Sequence, residues 1–255
     1  MISYRNIWLR ADRSRQMWEK VYTAAFKRML NRWTEQLMDG VNEGNAWRYH
    51  ELVQIDKKPL ENLFEALYTN VGTKFAEDAF RENKPKADEW EPVDKWTIYM
   101  RSYVKQRLGS RITSIADNSK MAAQLIIREA AEQALNDGLG TAELARMIRD
   151  ALNTEMIPMN TWRALRIART EVVGASNRVS FVGARELNVP MNKIWIATMD
   201  RRTRDTHAAL NGQSVDMSAP FNVGGVPMEC PGDPDGLPED VINCRCTLAY
   251  EVKRW

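Results

Sequence analysis

The sequence predicts an α+β protein, with a mostly helical N-terminal two-thirds and a small C-terminal module holding a short antiparallel sheet and long Pro/Gly-rich loops. Three observations carry that reading. Apolar residues recur at helical spacing from the N-terminus to about Leu187. After Pro190 two β-type runs, Lys193–Thr198 and Thr247–Val252, replace that spacing. Between them, residues 211–238 hold five of the ten prolines and five of the thirteen glycines. Irregular stretches of that length are uncommon unless they are functional or pinned.

The N-terminal pattern is the longest. Met17, Val21, Ala25, Met29, Trp33 and Leu37 form one row, and Trp18, Tyr22, Phe26 and Leu30 the next. Together they make a wide apolar stripe on a helix. The other face carries Arg13, Lys20, Lys27 and Arg28, and residues 1–40 hold eight basic and four acidic side chains. Such a helix is either core with a solvated basic face or a docking element, with Trp18, Phe26 and Trp33 as partner-docking residues.

Gly40 and Gly44 end that helix, and Leu60, Leu63, Phe64, Leu67, Val71 and Phe75 restart the spacing. The polar, proline-bracketed stretch Glu82–Pro92 reads as a boundary. Helix is expected again over 93–136, with Gly138 in the left-handed stop position and Thr141 as the next cap. A short helix to Leu152, a loop at Pro158, and a long helix capped by Asn160 or Thr161 follow. The expected division is a partner-docking helical region over 1–90, a central helical region over 91–159 and the α+β module over 160–255.

Composition narrows the function classes. The chain's 255 residues, 44% hydrophobic and 27% charged, supply a sizeable core, which excludes disorder. A formal net charge of +2 argues against a dedicated duplex-DNA binder. No apolar run approaches the roughly 18 residues of a membrane span. The start, Met1-Ile2-Ser3-Tyr4-Arg5, does not read as a secretory leader, so a reducing cytoplasm is expected.

The chemistry-bearing residues lie in the last module: Arg169-Thr170-Glu171, Asp200 through His207, and Asn243-Cys244-Arg245-Cys246. Cys244 and Cys246, one residue apart in extended chain, project to the same face. With Cys230 and His207 they compose a Cys₃His set, a common tetrahedral zinc arrangement. The same thiols also suit a packed core. A third reading makes Cys244 a nucleophile, His207 its base and Asp200 or Asn243 the orienter, which is a hydrolase. The leading account of Arg169, Glu171, Asp200 and Arg245, with Arg202 and Asn243 beside them, is a structural network of buried ion pairs that holds helix to sheet.

These residues also carry a resemblance. Arg169-Thr170-Glu171, Trp195, Asp200-x-Arg202-Thr203-Arg204-x-x-His207-x-x-Leu210-x-Gly212-Gln213 and Pro231-Gly232-Asp233-Pro234 through Asn243-Cys244-Arg245-Cys246 resemble the phage Mu F-like head morphogenesis family. These are minor head proteins of tailed bacteriophages. The likeness covers roughly residues 110–250. It implies a non-enzymatic virion protein inside the head near the portal, present in the host cytoplasm during assembly. The implied role is head morphogenesis or handling of packaged DNA. The implied partners are the portal protein, the major capsid or scaffolding protein, and packaged DNA, with no membrane. Cys230 falls outside the family pattern, so His207, Cys244 and Cys246 are the better zinc ligands.

Overall fold

The computed structural model describes residues 4–83 and 93–253. Most of the proline-bracketed stretch read as a boundary therefore lies outside the described residues. The helices are α1 (Tyr4–Gly40), α2 (Tyr49–Leu52), α3 (Lys58–Asn83), α4 (Val93–Arg107), α5 (Gly109–Asn136), α6 (Thr141–Ala151) and α7 (Ile157–Glu186). The strands β1 (Met191–Ile196), β2 (Ser214–Asp216), β3 (Phe221–Val223), β4 (Val226–Met228) and β5 (Thr247–Val252) follow, with short helices α8 (Asp205–Ala209) and α9 (Pro238–Val241) between them. The α+β class and the small antiparallel sheet are as predicted.

The chain divides into two compact units built from separated segments. One comprises residues 23–63 and 109–165. Its core joins Leu37, Val41, Tyr49 and Val53 to Ile126, Ile127, Leu144, Ile148 and Leu152. Polar ties close it: the Tyr49 hydroxyl donates to the Leu37 carbonyl at 2.7 Å, and Arg149 donates to the Val41 carbonyl at 2.9 Å.

Three local expectations are corrected here. No loop forms at Pro158; a wider π-type turn, Leu152–Met156, runs straight into α7. Proline lacks the N–H that an inner helical turn needs, and a widened turn accommodates that loss without ending the helix. Asn160 is therefore interior to α7, buried, with its amide donating to Thr34 Oγ1 at 3.1 Å. Gly138 does take the left-handed conformation at φ +66°, but Gly140 rather than Thr141 precedes α6, without a side-chain cap.

The other unit comprises residues 1–22, 64–108 and 166–255. Its sheet has the order β2-β1-β5, antiparallel throughout, with Trp195 opposite Leu248 and Ile194 opposite both Ser214 and Ala249. Strand β1 is buried on both faces, which explains why its last three residues, Ile194, Trp195 and Ile196, are apolar without alternation. Lys193 is the exception in type but not in burial. Its ammonium donates to the Glu229 carbonyl at 2.9 Å and lies 4.4 Å over the Phe181 ring, and burial lowers its pKa. The Pro/Gly-rich stretch is not one loop: β3 and β4 form a hairpin within it, turning through Gly224 and Gly225. Beyond it, Gly232 at φ +82° lies against Gly174 of α7, so closely that a Cβ there would stand 2.8 Å from the Gly174 Cα. This contact brings the segment after Cys230 onto the helix.

Candidate functional site

The three motifs of the C-terminal segment converge, and local chemistry explains how. The turn after β1 is shaped by Asp200. Its carboxylate accepts the Arg202 N–H at 2.9 Å, and its own N–H donates to Thr203 Oγ1 at 3.1 Å. Aspartate favours such turns because its side chain substitutes for a backbone acceptor. The chain then enters α8, which holds His207. From the other side, α9 ends at Val241 and Asn243 takes a left-handed φ of +58°, a conformation asparagine tolerates well. Arg204 donates to the Ile242 carbonyl at 2.5 Å, and the Asn243 N–H donates to Thr170 Oγ1 at 3.0 Å. The two loops and α7 are thereby tied together just where Cys244 and Cys246 follow.

The result is a buried cluster. His207 Nδ1 lies 3.4 Å from Cys246 Sγ and 3.7 Å from Cys244 Sγ. The donor atoms of these three residues all lie within 4.8 Å of one another, the one such His/Cys/Asp/Glu group among the described residues. The other ring nitrogen, Nε2, is 3.5 Å from Asp240 Oδ1 and has no hydrogen-bond partner. Asp240 is itself buried, and its Oδ1 accepts the Thr206 hydroxyl at 3.0 Å. Trp195 packs edge-on against the imidazole at 5.3 Å. The hydrogen bond between the two thiols, with His207 adding to it, lowers the pKa of Cys246, and that bond together with burial raises the pKa of Cys244.

A cavity of about 240 Å³ adjoins the cluster, lined by His207 and both thiols together with Arg169, Arg202, Arg204 and Arg245. Four guanidinium groups around one cavity suit an anionic group.

The other sequence-predicted residues divide. Arg245 and Arg202 both pair with Asp200, the former by a short charged hydrogen bond and the latter at 3.7 Å. That Arg245 hydrogen bond, foremost, holds the Asp200 carboxyl below its usual value. This pair is half-exposed, not buried. Arg169 pairs instead with Glu19 of α1 at 3.3 Å. Glu171, 1% exposed, accepts the Tyr68 hydroxyl at 2.8 Å. Asn243 acts through its backbone. The six residues thus serve several separate ties where one network was expected, because Arg169 and Glu171 leave α7 in different directions. Cys230 stays outside the His–Cys–Cys group and packs with Phe221, Met228 and Val241, where burial pushes its thiol up. Of the docking aromatics, Phe26 and Trp33 are buried in the fold and Trp18 is half-buried; on that stripe Met17 and Val21 are the exposed residues.

Sequence reasoning missed Arg15. This α1 residue is 2% exposed and donates to Ser176 Oγ, Asn177 Oδ1, Thr247 Oγ1 and the Cys246 carbonyl at 2.7–3.2 Å. Burial lowers its pKa to about 10. Asn177 joins it, donating to the Cys246 and Pro231 carbonyls at 3.0 Å each. A signal was present: Arg15 stands on the same helical line as Trp18 and Tyr22, and Ser176-Asn177 interrupts an apolar stretch of α7.

With this geometry in hand, comparison with known proteins is informative. The family described as Phage Mu protein F like protein matches residues 126–249, which contain every member of the cluster and the cavity. Residues 126–249 are thus similar to the phage Mu F-like family. It is 31% identical over 130 residues to the minor head protein GP7 of Bacillus phage SPP1, covering 49% of this chain and 40% of that protein. It is also 34% identical over 121 residues to the NAD(+)--arginine ADP-ribosyltransferase EFV of Enterococcus faecalis (strain ATCC 700802 / V583), covering 46% of this chain and 24% of that protein. The chain therefore spans less than half the length of these relatives. No solved structure matches it. Among the described residues no helix is long and apolar enough to cross a membrane.

Proposed function

We propose that this chain is a minor head protein of a tailed phage, carried inside the head near the portal and acting in head morphogenesis or in handling the packaged DNA. The observation that carries the reading is the family match over 126–249 together with the likeness to a minor head protein. The portal is the proposed first partner, with the major capsid or scaffolding protein and packaged DNA as further ones. On α1 the exposed pair Met17 and Val21 offers an apolar contact, and Arg13, Lys20 and Arg28 are exposed beside it. A basic helix face suits an acidic protein surface or DNA phosphates.

The fold changes how this is tested. Trp8 donates to the Arg245 carbonyl at 3.0 Å, and Arg15 binds around Cys246, so the first turns of α1 belong to the unit that holds the site. Deleting residues 1–40 would damage that unit. Point changes are cleaner: Met17→Glu with Val21→Glu should abolish capture of the full chain by the portal while leaving its circular dichroism unchanged. Capture of the double variant at the wild-type level would move the interface off this helix. Absence of the native chain from purified heads would overturn the head reading itself.

The transferase likeness covers about a quarter of that protein. We read it as likeness of a module, and not as shared catalysis. The full chain incubated with NAD and an arginine substrate is expected to transfer no ADP-ribose, and measured transfer would reverse that reading.

A further inference from the structure

We infer that His207, Cys244 and Cys246 form a binding site for one zinc ion, with Asp240 positioning the histidine and the fourth coordination position left to solvent from the arginine-lined cavity. Distances support this first. Zinc binds sulfur at about 2.3 Å and imidazole nitrogen at about 2.0–2.1 Å, so in a tetrahedron those two donors stand about 3.6 Å apart. The two observed separations, 3.4 and 3.7 Å, bracket that figure.

Hydrogen bonding alone does not account for the arrangement. With the imidazole hydrogen on Nδ1 and directed at a thiol, Nε2 would turn a bare lone pair towards the Asp240 carboxylate, one acceptor facing another. A cation at the centre satisfies all three donors at once. It would also fix the tautomer: with Nδ1 on the metal, the proton sits on Nε2. That is the atom facing Asp240 Oδ1 at 3.5 Å, and it has no hydrogen-bond partner. A carboxylate behind a ligating histidine is the usual way proteins orient such a ligand. Asp240 is in turn held by the Thr206 hydroxyl, and the Cys246 carbonyl by Arg15 and Asn177. The site is therefore braced on both sides. Two thiolates and an imidazole favour zinc over the oxygen-preferring cations magnesium and calcium.

The test uses the full-length chain, reduced and purified without chelator. Metal analysis should find about one equivalent of zinc per chain. The apo chain titrated with cobalt(II) should develop thiolate-to-cobalt charge transfer in the near ultraviolet and the visible bands of a tetrahedral ion. Cys244→Ser and Cys246→Ser should each weaken that charge-transfer band, and Cys230→Ser should leave it intact. Asp240→Asn should reduce cobalt affinity by about 10–100-fold while keeping the spectrum. If the serine variants fail to fold, the wild-type titration and Cys230→Ser still decide the matter. Cobalt uptake without a thiolate band, no uptake at all, or loss of the band in Cys230→Ser would each overturn the assignment. None of these outcomes bears on whether the chain resides in heads.

Discussion

Two arginines anchor the same short stretch, and they do so in opposite ways. Arg245 reaches a carboxylate, Asp200, at the rim of the cavity, where water and salt compete with the pair. Arg15 has no carboxylate among the four groups it donates to; it is buried among a serine, an asparagine, a threonine and a backbone carbonyl. By formal charge Arg245 makes the better bond. By physics Arg15 matters more, because its removal strands several buried acceptors, whereas an exposed ion pair trades one set of water contacts for another. Visible charge complementarity is therefore a poor guide to what holds this module together.

The largest expected effect tests that ordering directly. Arg15→Ala should lower unfolding stability by at least about 3 kcal/mol in urea denaturation, since hydrogen bonds to charged groups contribute about 1.5–3 kcal/mol each and four are lost. Arg15→Lys should recover only part of this, because an ammonium cannot reproduce the planar fork. A wild-type midpoint for Arg15→Ala would invert the comparison.

Glu171 should come next. Its buried carboxylate accepts from Tyr68, so Glu171→Ala should cost about 2 kcal/mol, more than alanine at any exposed Lys or Arg. Melting within a degree of wild type would show that its burial is idle. Tyr68→Phe should give a smaller loss in the same direction, and a double-mutant cycle would measure the coupling.

The rim pair should matter least. Asp200→Asn is expected to cost below about 1 kcal/mol. Its signature is in pH rather than size. The folded carboxyl titrates below its usual value of 3.8, so the ionised form is favoured by folding. Its contribution is present above that usual value and is lost as pH falls through the folded value. Wild type should therefore lose slightly more stability than Asp200→Asn on acidification, and added salt should shrink the difference. Equal acid profiles for the two proteins would remove Asp200 from the account.

Much of the architecture was written locally. The period of apolar residues located the helices, and the β-branched runs located β1 and β5, because each pattern depends on neighbours within a few residues. Gly138 announced its turn for the same reason. The Asp200 turn and the left-handed Asn243 likewise express the intrinsic preferences of single residues, and the spacing of the motifs around them was specific enough to indicate the family.

What the tertiary structure alone decided is how distant groups meet. Cys230 and Cys246 are equivalent thiols in a sequence, yet one packs among Phe221 and Met228 while the other faces His207 from 39 residues away. The Gly232–Gly174 contact seats the segment after Cys230 on α7, and the β3–β4 hairpin pairs Phe221 with Met228 in the cluster that holds that thiol. Arg15 reads as one more cation on a basic helix until its acceptors arrive from 161 to 232 residues along the chain. Phe26 and Trp33 read as docking aromatics until the fold buries them. Periodicity records only which face of an element is apolar. Whether that face meets a partner or the protein's own core, and which polar groups are enclosed with it, depends on chain closures that no local pattern encodes.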